Sequence, residues 1–174
     1  GVYRSDDGGI TWDSRSNNLP YTFVSPIAIH PTDPDIVFVG TTSEIYTIHP
    51  EHQTKGLHEG HGLYMSVDGG RNWVPRDVGI TEAKLAQIAG HPLLPFNIWV
   101  GGESGRGSLL SPDGGESWLF SPSTTAHYPM VYAFSYENPL VMFMTGWQKT
   151  GELAQSTDGG VSWFTHTYKL ESGL

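Results

Sequence analysis

Short apolar runs recur along the chain and are separated by clusters of Gly, Pro, Asp and Asn. Three of them, at residues 36–41, 98–102 and 141–146, are rich in Val, Ile, Phe, Trp and Met. Runs of this length bounded by turn residues predict β-strands. The best helical candidate, residues 81–88, is at most about two turns long. The pattern therefore predicts an all-β protein.

The strands belong to a repeat that is marked by an eight-residue box. The box reads Ser-x-Asp-Gly-Gly-x-Thr/Ser/Asn-Trp and begins at Ser5, Ser66, Ser111 and Ser156. The intervals between boxes are 61, 45 and 45 residues. A period near 45 residues with four short strands per period is typical of one four-stranded blade of a β-propeller.

The repeat divides the chain into blades of four antiparallel strands joined by box hairpins. Residues 21–80, 81–125 and 126–170 each hold a complete set of strands, and residues 1–20 hold only the two outer strands of a further blade. Residues 1–174 are therefore predicted to be a single propeller segment of about three and a half blades, an incomplete ring. Since a blade cannot bury both faces alone, we expect the remaining blades to come from the same longer chain or from a second chain.

The residues of the box have physical roles in a hairpin. Gly adopts positive φ without a steric clash, and an Asp before the turn accepts hydrogen bonds from the N–H groups of the turn. The Trp anchors the next strand against a neighbouring sheet. A carboxylate that is repeated four times is better explained as a structural residue than as a catalytic group. The predicted structural residues are Asp7, Trp12, Asp68, Trp73, Asp113, Trp118, Asp158 and Trp163.

These boxes, together with the run at residues 27–41, resemble the Asp-box repeat, also called the bacterial neuraminidase (BNR) repeat. The resemblance covers essentially the whole chain and implies a β-propeller. The superfamily includes sialidases, xyloglucan-degrading glycoside hydrolases, sortilin-type receptors and factors of the photosystem-assembly type. Because these functions differ so widely, the resemblance does not choose among them.

The charge balance narrows the classes of partner. The 174 residues include 9 Lys and Arg against 18 Asp and Glu, a formal net charge of −9. This excess of negative charge argues against a nucleic-acid partner and against adhesion to an anionic membrane. No apolar run is long enough for a transmembrane helix, so no membrane insertion is expected. The absence of Cys excludes a disulfide scaffold. An extracellular or cell-surface location is favoured.

Variable loops are expected on one face of the propeller. Successive loops of an antiparallel blade alternate between two faces, so the box hairpins share one face with the turns between the first and second strands. The other face carries the loops that differ from blade to blade, and such loops usually hold the function. The leading hypothesis is a non-catalytic binding or scaffold module that recognises a protein or a carbohydrate. Its predicted contact residues are Tyr21, Arg106, Tyr128 and Trp147.

A glycoside hydrolase is the second hypothesis. Such an enzyme needs two carboxyl groups that face each other across a cleft. Asp77, Glu82 and Glu103 lie in the variable segments and are the predicted acids. The resemblance makes a secreted, xyloglucanase-like enzyme the main form of this hypothesis. A sialidase-like enzyme is less favoured because no Phe/Tyr-Arg-Ile-Pro motif is present.

A histidine-rich segment gives the third hypothesis. The first interval between boxes is 16 residues longer than the others, and the extra sequence is rich in His and Glu. Imidazole and carboxylate ligands suit zinc, copper or nickel, although the spacing lacks the His-Glu-x-x-His order of zinc hydrolases. The predicted ligands of a divalent metal are His49, His52, His58 and His61. No other cofactor is expected. His30 and His91 occupy equivalent repeat positions and are interpreted as structural residues of turns.

Overall fold

The computed structural model describes residues 1–20, 24–41, 62–76, 85–102, 107–122, 129–146 and 152–167. The described residues are organised entirely by β-strands and turns. In chain order the strands are β1 (Tyr3–Arg4), β2 (Asp13–Ser14), β3 (Val24–Ile29), β4 (Val37–Thr41), β5 (Gly62–Ser66), β6 (Val74–Pro75), β7 (Leu85–Gly90), β8 (Ile98–Gly102), β9 (Gly107–Ser111), β10 (Leu119–Pro122), β11 (Pro129–Phe134), β12 (Met142–Gly146), β13 (Glu152–Ser156) and β14 (Phe164–Thr167).

The strands form three four-stranded antiparallel sheets and one two-stranded sheet. We call them blade 1 (β1–β2), blade 2 (β3–β6), blade 3 (β7–β10) and blade 4 (β11–β14). Within each sheet the strands are ordered as they occur along the chain. Strands β3, β7 and β11 contact one another in succession, as expected of the innermost strands of adjacent blades. The predicted all-β propeller fold with an incomplete ring is confirmed.

The helical candidate at residues 81–88 is wrong where the structure describes it. Residues 85–88 belong to β7, which pairs with β8. The register shifts between Leu85 and Gln87. Leu85 and Ile88 are both buried in the same apolar cluster. The shift therefore gives this strand a spacing of apolar residues that resembles one helical turn.

The apolar cores lie between blades rather than within them. Phe38 of blade 2 packs in one cluster with Ile98 and Val100 of blade 3. Trp99 of blade 3 packs with Tyr132 of blade 4. Each blade is thus stabilised by its neighbours, as in other repeat architectures.

Candidate functional site

The four boxes share one hydrogen-bond pattern. In blade 2, Ser66 Oγ donates to Asp68 Oδ1 at 2.8 Å and accepts from the amide of Gly70 at 2.8 Å. Asp68 in turn accepts from the amide of Asn72 at 2.9 Å. Gly69 and Gly70 have φ angles of 69° and 86°, a region that glycine enters without strain. The box Asp residue thus uses its carboxylate oxygens within its own turn.

The same hydrogen bonds determine the acidity of the box carboxylates. Side-chain and backbone donors stabilise the charged form, which lowers the pKa of Asp68 to about 2, with the Asn72 side chain as the largest cause. The hydroxyl groups of Ser117 and Ser162 are the largest cause in lowering the pKa values of Asp113 and Asp158 to about 2. Thr11 lowers the pKa of Asp7 in the same way. A carboxyl group that is ionised at neutral pH cannot serve as a general acid.

The Trp of each box in blades 2 to 4 binds the preceding blade. Trp73 Nε1 donates to the backbone oxygen of Arg15 at 2.7 Å, and Trp118 Nε1 donates to that of Arg76 at 2.8 Å. Trp163 Nε1 donates to Ser121 Oγ at 3.1 Å. Each acceptor stands three residues after the Trp of the preceding box. The box Trp therefore fixes the spacing between adjacent outer strands.

Trp12 departs from the prediction that each box Trp is anchored on a neighbouring sheet. Its Nε1 donates to the oxygen of Gly9 in its own box at 3.1 Å. Its ring is 62% exposed, whereas Trp73 is 3% exposed. The difference arises because, among the described residues, no blade precedes blade 1 and could pack against Trp12.

The box hairpins and the turns between first and second strands share one face, which we call the box face. In blade 2 the amide of Gly69 donates to Asp35 O at 2.9 Å. Gly114 and Phe96 make the same bond in blade 3, and Gly159 and Leu140 make it in blade 4. The box face is therefore held by bonds that repeat from blade to blade, as the loop alternation predicts.

The turn histidines are part of this repeated structure. His91 Nδ1 accepts from the amides of Leu93 and Leu94 at 3.1 Å, and its Nε2 donates to Pro139 O at 3.0 Å. Burial lowers the pKa of His91, which favours the neutral ring that these bonds require. Ser135 takes the same place in blade 4, where its Oγ accepts from two amides of the turn.

The opposite ends of the sheets define a second face, which we call the loop face. The register pairs Val24 with Thr41, and the corresponding pairs in blades 3 and 4 are Leu85–Gly102 and Pro129–Gly146. The strands that flank the non-repeated segments end at this face. The predicted contact residues and acids, namely Tyr21, Asp77, Glu82, Glu103, Arg106, Tyr128 and Trp147, lie in these segments and outside the described residues.

The predicted metal ligands His49, His52, His58 and His61 also lie outside the described residues. Across the described ranges, no group of three or more His, Cys, Asp or Glu side chains has the proximity that a metal ion needs. In the same part of the chain, no helix has the length and apolar character to cross a membrane.

A cavity between blades 1 and 2 was not predicted from the sequence. Its volume is about 330 Å³ and its walls include Trp12, Ile27, Ile29 and Val37. Arg4 also lines it and bridges Asp6 at 2.7 Å and Asp35 at 3.0 Å. The signal for this cavity in the sequence was the presence of only two outer strands in residues 1–20.

Comparison with known proteins is consistent with this geometry. The BNR/Asp-box repeat family matches residues 3–14. No curated protein matches the chain significantly.

Solved structures give the wider similarity. The GH74 enzyme of Niastella koreensis superimposes with a TM-score of 0.66 at 19% identity, covering 94% of this chain and 26% of that one. An ancestral GH74 enzyme superimposes with a TM-score of 0.63 at 23% identity, covering 94% of this chain and 21% of that one. YCF48 from Cyanidioschyzon merolae superimposes with a TM-score of 0.53 at 22% identity, covering 82% of this chain and 36% of that one. The chain thus spans about a quarter or less of the GH74 structures. These comparisons show that it carries the BNR/Asp-box repeat on a β-propeller fold.

Proposed function

We propose that this chain is a non-catalytic binding segment of a β-propeller, which recognises a protein or a carbohydrate through its loop face. The observation that supports the proposal is the contrast between the two faces. On the box face, the same bonds recur from blade to blade, as in the pair formed by Gly69 and Asp35. The segments that differ in length and sequence join strand ends at the opposite face. Variable loops on a rigid scaffold are the usual place of recognition.

The described box carboxylates have the properties of groups that stabilise their own turns. A glycoside hydrolase needs a carboxylic acid with a raised pKa. The box carboxylates have lowered pKa values and use their oxygens within their own turns, as Asp113 does with the amide and hydroxyl of Ser117. These properties support a structural role for the repeated acids and leave recognition to the loop face.

The chemistry of the predicted contact residues suits both classes of ligand. Tyr21, Tyr128 and Trp147 supply rings that stack on sugars or pack against apolar side chains of a peptide. Arg106 supplies a planar cation for hydrogen bonds to carboxylate or hydroxyl groups. A similar structure, YCF48, is known bound to a D1 peptide, with a TM-score of 0.50 at 18% identity. The structural similarity to GH74 enzymes is the reason to test a carbohydrate ligand beside a peptide.

Binding measurements with matched variants test the proposal. The probes are xyloglucan oligosaccharides and the D1 peptide, titrated by calorimetry against the chain and against Tyr128→Ala and Trp147→Ala. Tyr136→Ala is the control, since Tyr136 is 79% exposed but lies in a turn of the box face. We expect the loop-face variants to weaken binding about tenfold or more, as buried aromatic contacts do, and Tyr136→Ala to bind normally. A loss of affinity in Tyr136→Ala alone would contradict the proposal.

A glycoside hydrolase is the second proposal, supported by the superposition of two GH74 enzymes over 94% of the chain. At 19% and 23% identity, this likeness shows the fold alone. The enzyme hypothesis predicts release of reducing ends from xyloglucan, with loss of hydrolysis but not of binding in Glu103→Gln or in Asp77→Asn. Binding without any release of reducing ends would favour the non-catalytic function.

A further inference from the structure

The box face carries apolar side chains that the fold leaves exposed. They lie in the turns between the first and second strands of blades 2, 3 and 4, which span residues 30–36, 91–97 and 135–141 and which we call the inner turns. Four of these side chains are between 41% and 79% exposed, namely Leu93, Phe96, Tyr136 and Leu140. Leu93 and Phe96 belong to blade 3, which has a described four-stranded blade on either side. Their exposure is therefore a property of the assembled blades.

The repeat does not need apolar residues at these positions. The same backbone bonds close the inner turns of blades 2 and 3. Leu93 and Phe96 of blade 3 therefore correspond to Thr32 and Asp35 of blade 2. Since the turn of blade 2 forms with polar residues at both positions, the exposed apolar side chains of blade 3 have no role in closing the turn. Exposed apolar groups with polar surroundings are typical of interaction sites.

A cavity lies where the inner turns of the three blades meet. Its volume is about 410 Å³, within the range of about 300–1,000 Å³ that is usual for ligand pockets. Its walls include Pro31 of blade 2, Gly90 and Pro92 of blade 3, and Tyr132 and Tyr136 of blade 4. Blades 2 and 3 are in direct contact here, because a β-carbon on Gly90 would lie 3.7 Å from Cδ of Pro31. The rings of Pro and Tyr give the cavity apolar walls that suit an inserted side chain.

Two carboxylates flank this cavity. Asp33 follows Pro31 by two residues, and Glu137 follows Tyr136 directly. Both acidic residues are exposed. Among the described residues, neither of them forms an ion pair with Lys, Arg or His. Their charges are therefore available to cations of a partner.

The negative charge of the chain is concentrated on the same face. The four boxes and the three inner turns contain nine of the 18 acidic residues but only one of the 9 Lys and Arg, namely Arg71. The rest of the chain is almost balanced in charge. Hydrogen bonds lower the pKa values of the box Asp residues, so these groups are ionised at neutral pH. The box face therefore attracts a cationic partner and repels a second copy of itself.

We propose that the cavity at the inner turns binds a positively charged segment of another protein. The segment inserts an apolar side chain between Pro31 and Tyr136. Its Lys or Arg residues pair with Asp33 and Glu137. The apolar walls provide most of the affinity, and the carboxylates select a segment in which basic residues flank the apolar one. This docking surface lies at the ends of the innermost strands opposite to the loop face, and it is independent of recognition there.

A synthetic peptide supplies the chemistry that the cavity requires. The probe is acetyl-Lys-Arg-Leu-Trp-Arg-Lys-amide with a fluorescent label, and its binding is measured by fluorescence anisotropy at low ionic strength. Two control peptides separate the two contributions. In one, Gln replaces each Lys and Arg, and in the other, Ser replaces Leu and Trp. Both should bind more weakly than the probe.

Two variants of the chain test the apolar contact. We expect Tyr136→Ala to weaken binding of the probe about tenfold, as the loss of an aromatic anchor does. Val161→Ala is the control, since Val161 is 75% exposed in the box of blade 4 and away from the cavity. It should bind the probe with the original affinity.

Two double variants with the same net charge test the carboxylates. Asp33→Asn/Glu137→Gln should weaken binding about threefold or more, the effect expected of two exposed ion pairs. Added salt should weaken binding to this variant less than binding to the original chain. Asp13→Asn/Glu116→Gln, which removes two exposed acids that do not line the cavity, should retain most of the affinity.

Several results would overturn the proposal. These are the absence of probe binding to the original chain, equal affinity for the probe and its Gln control, and unchanged binding in Tyr136→Ala. Equal losses in the two double variants would also overturn it, because the attraction would then come from net charge alone. All substitutions lie at exposed positions, so unchanged circular dichroism and melting temperature verify the fold. The loop-face test uses other ligands, and Tyr136→Ala should bind those normally, so either proposal can fail without the other.

Discussion

The indole Nε1 of Trp73 donates a 2.7 Å hydrogen bond to the backbone oxygen of Arg15, which lies 58 residues earlier in the chain. The side chain of Asn18 strengthens this junction, since it accepts from the amide of Trp73 at 3.0 Å and donates to its carbonyl at 2.9 Å. One residue of a local hairpin thus joins two blades. The same kind of bond recurs at Trp118 and Trp163 and sets the stacking of the propeller.

Removal of Trp73 should therefore cost far more stability than removal of Trp12. Trp73→Ala creates a cavity between blades and leaves the oxygen of Arg15 without its donor, so we expect a loss of about 3–5 kcal/mol in the free energy of unfolding. Trp12→Ala, at the equivalent but exposed position, should cost about 1 kcal/mol or less. Urea denaturation monitored by circular dichroism measures both. Equal losses would show that the junction between blades does not depend on this bond.

A second pair of variants separates packing from backbone strain. Gly160 and Gly9 occupy the same box position, with φ angles of 85° and 92°. Alanine is strained at both, but only at Gly160 would its β-carbon meet the ring of Trp99. We expect Gly160→Ala to be less stable than Gly9→Ala by about 1–3 kcal/mol, the usual cost of overpacking. Similar melting temperatures for the two variants would contradict close contact of Trp99 with the box.

The lowered pKa values of the box carboxylates lead us to expect that the protein loses stability in acid. Their folded pKa values lie below the ordinary value of 3.8, at about 2 for Asp68, Asp113 and Asp158. A lowered folded pKa contributes stability that is complete above the unfolded pKa and is lost as the pH falls through the folded one. Stability should therefore decline between about pH 5 and pH 2.

Asp68→Asn tests the origin of this decline. The variant should be less stable than the original chain at pH 7 and should lose less stability between pH 5 and pH 2, because one titrating group has been removed. Glu137→Gln is the control, since it alters an exposed acid of a turn outside the boxes. The measurement is the urea midpoint as a function of pH. Identical pH slopes for Asp68→Asn and the original chain would refute the assignment.

The histidine-rich segment gives a separate prediction. A metal site formed by His49, His52, His58 and His61 would bind one Zn²⁺ per chain, with an affinity that falls below about pH 6 as imidazole becomes protonated. The double variant His52→Ala/His58→Ala should abolish that binding in a calorimetric titration. His30→Ala serves as a control outside the segment. Equal zinc binding by the double variant and the original chain would reject this site.

The repeat made most of the fold predictable. The box is a local device, since a Ser, an Asp and two Gly residues form its hydrogen bonds within a few positions, and its 45-residue spacing counts the blades. Non-local properties could not be predicted from that motif. Trp12 has the same sequence context as Trp73, and only the absence of a described neighbour in front of it leaves it exposed. Likewise, a register shift in β7 gave Leu85 and Ile88 a spacing that resembles a helix.

The site was less predictable for a related physical reason. The segments at the loop face do not repeat, so periodicity gives their place in the topology but not the positions of their side chains. Tyr128, Trp147 and Glu103 were selected by residue type and by loop position. Bringing such residues together depends on contacts between blades, which no local pattern specifies.

Hydrogen-exchange footprinting of a bound probe tests the assignment of recognition to the loop face most directly. The exchange of the chain is compared with and without saturating xyloglucan oligosaccharide or D1 peptide, whichever binds. We predict slower exchange in peptides that span residues 21–23, 42–61, 77–84, 103–106, 123–128 and 147–151, with no change in the boxes. Protection confined to the boxes and their neighbouring turns, around Asp68 or Asp113, would contradict recognition through the loop face.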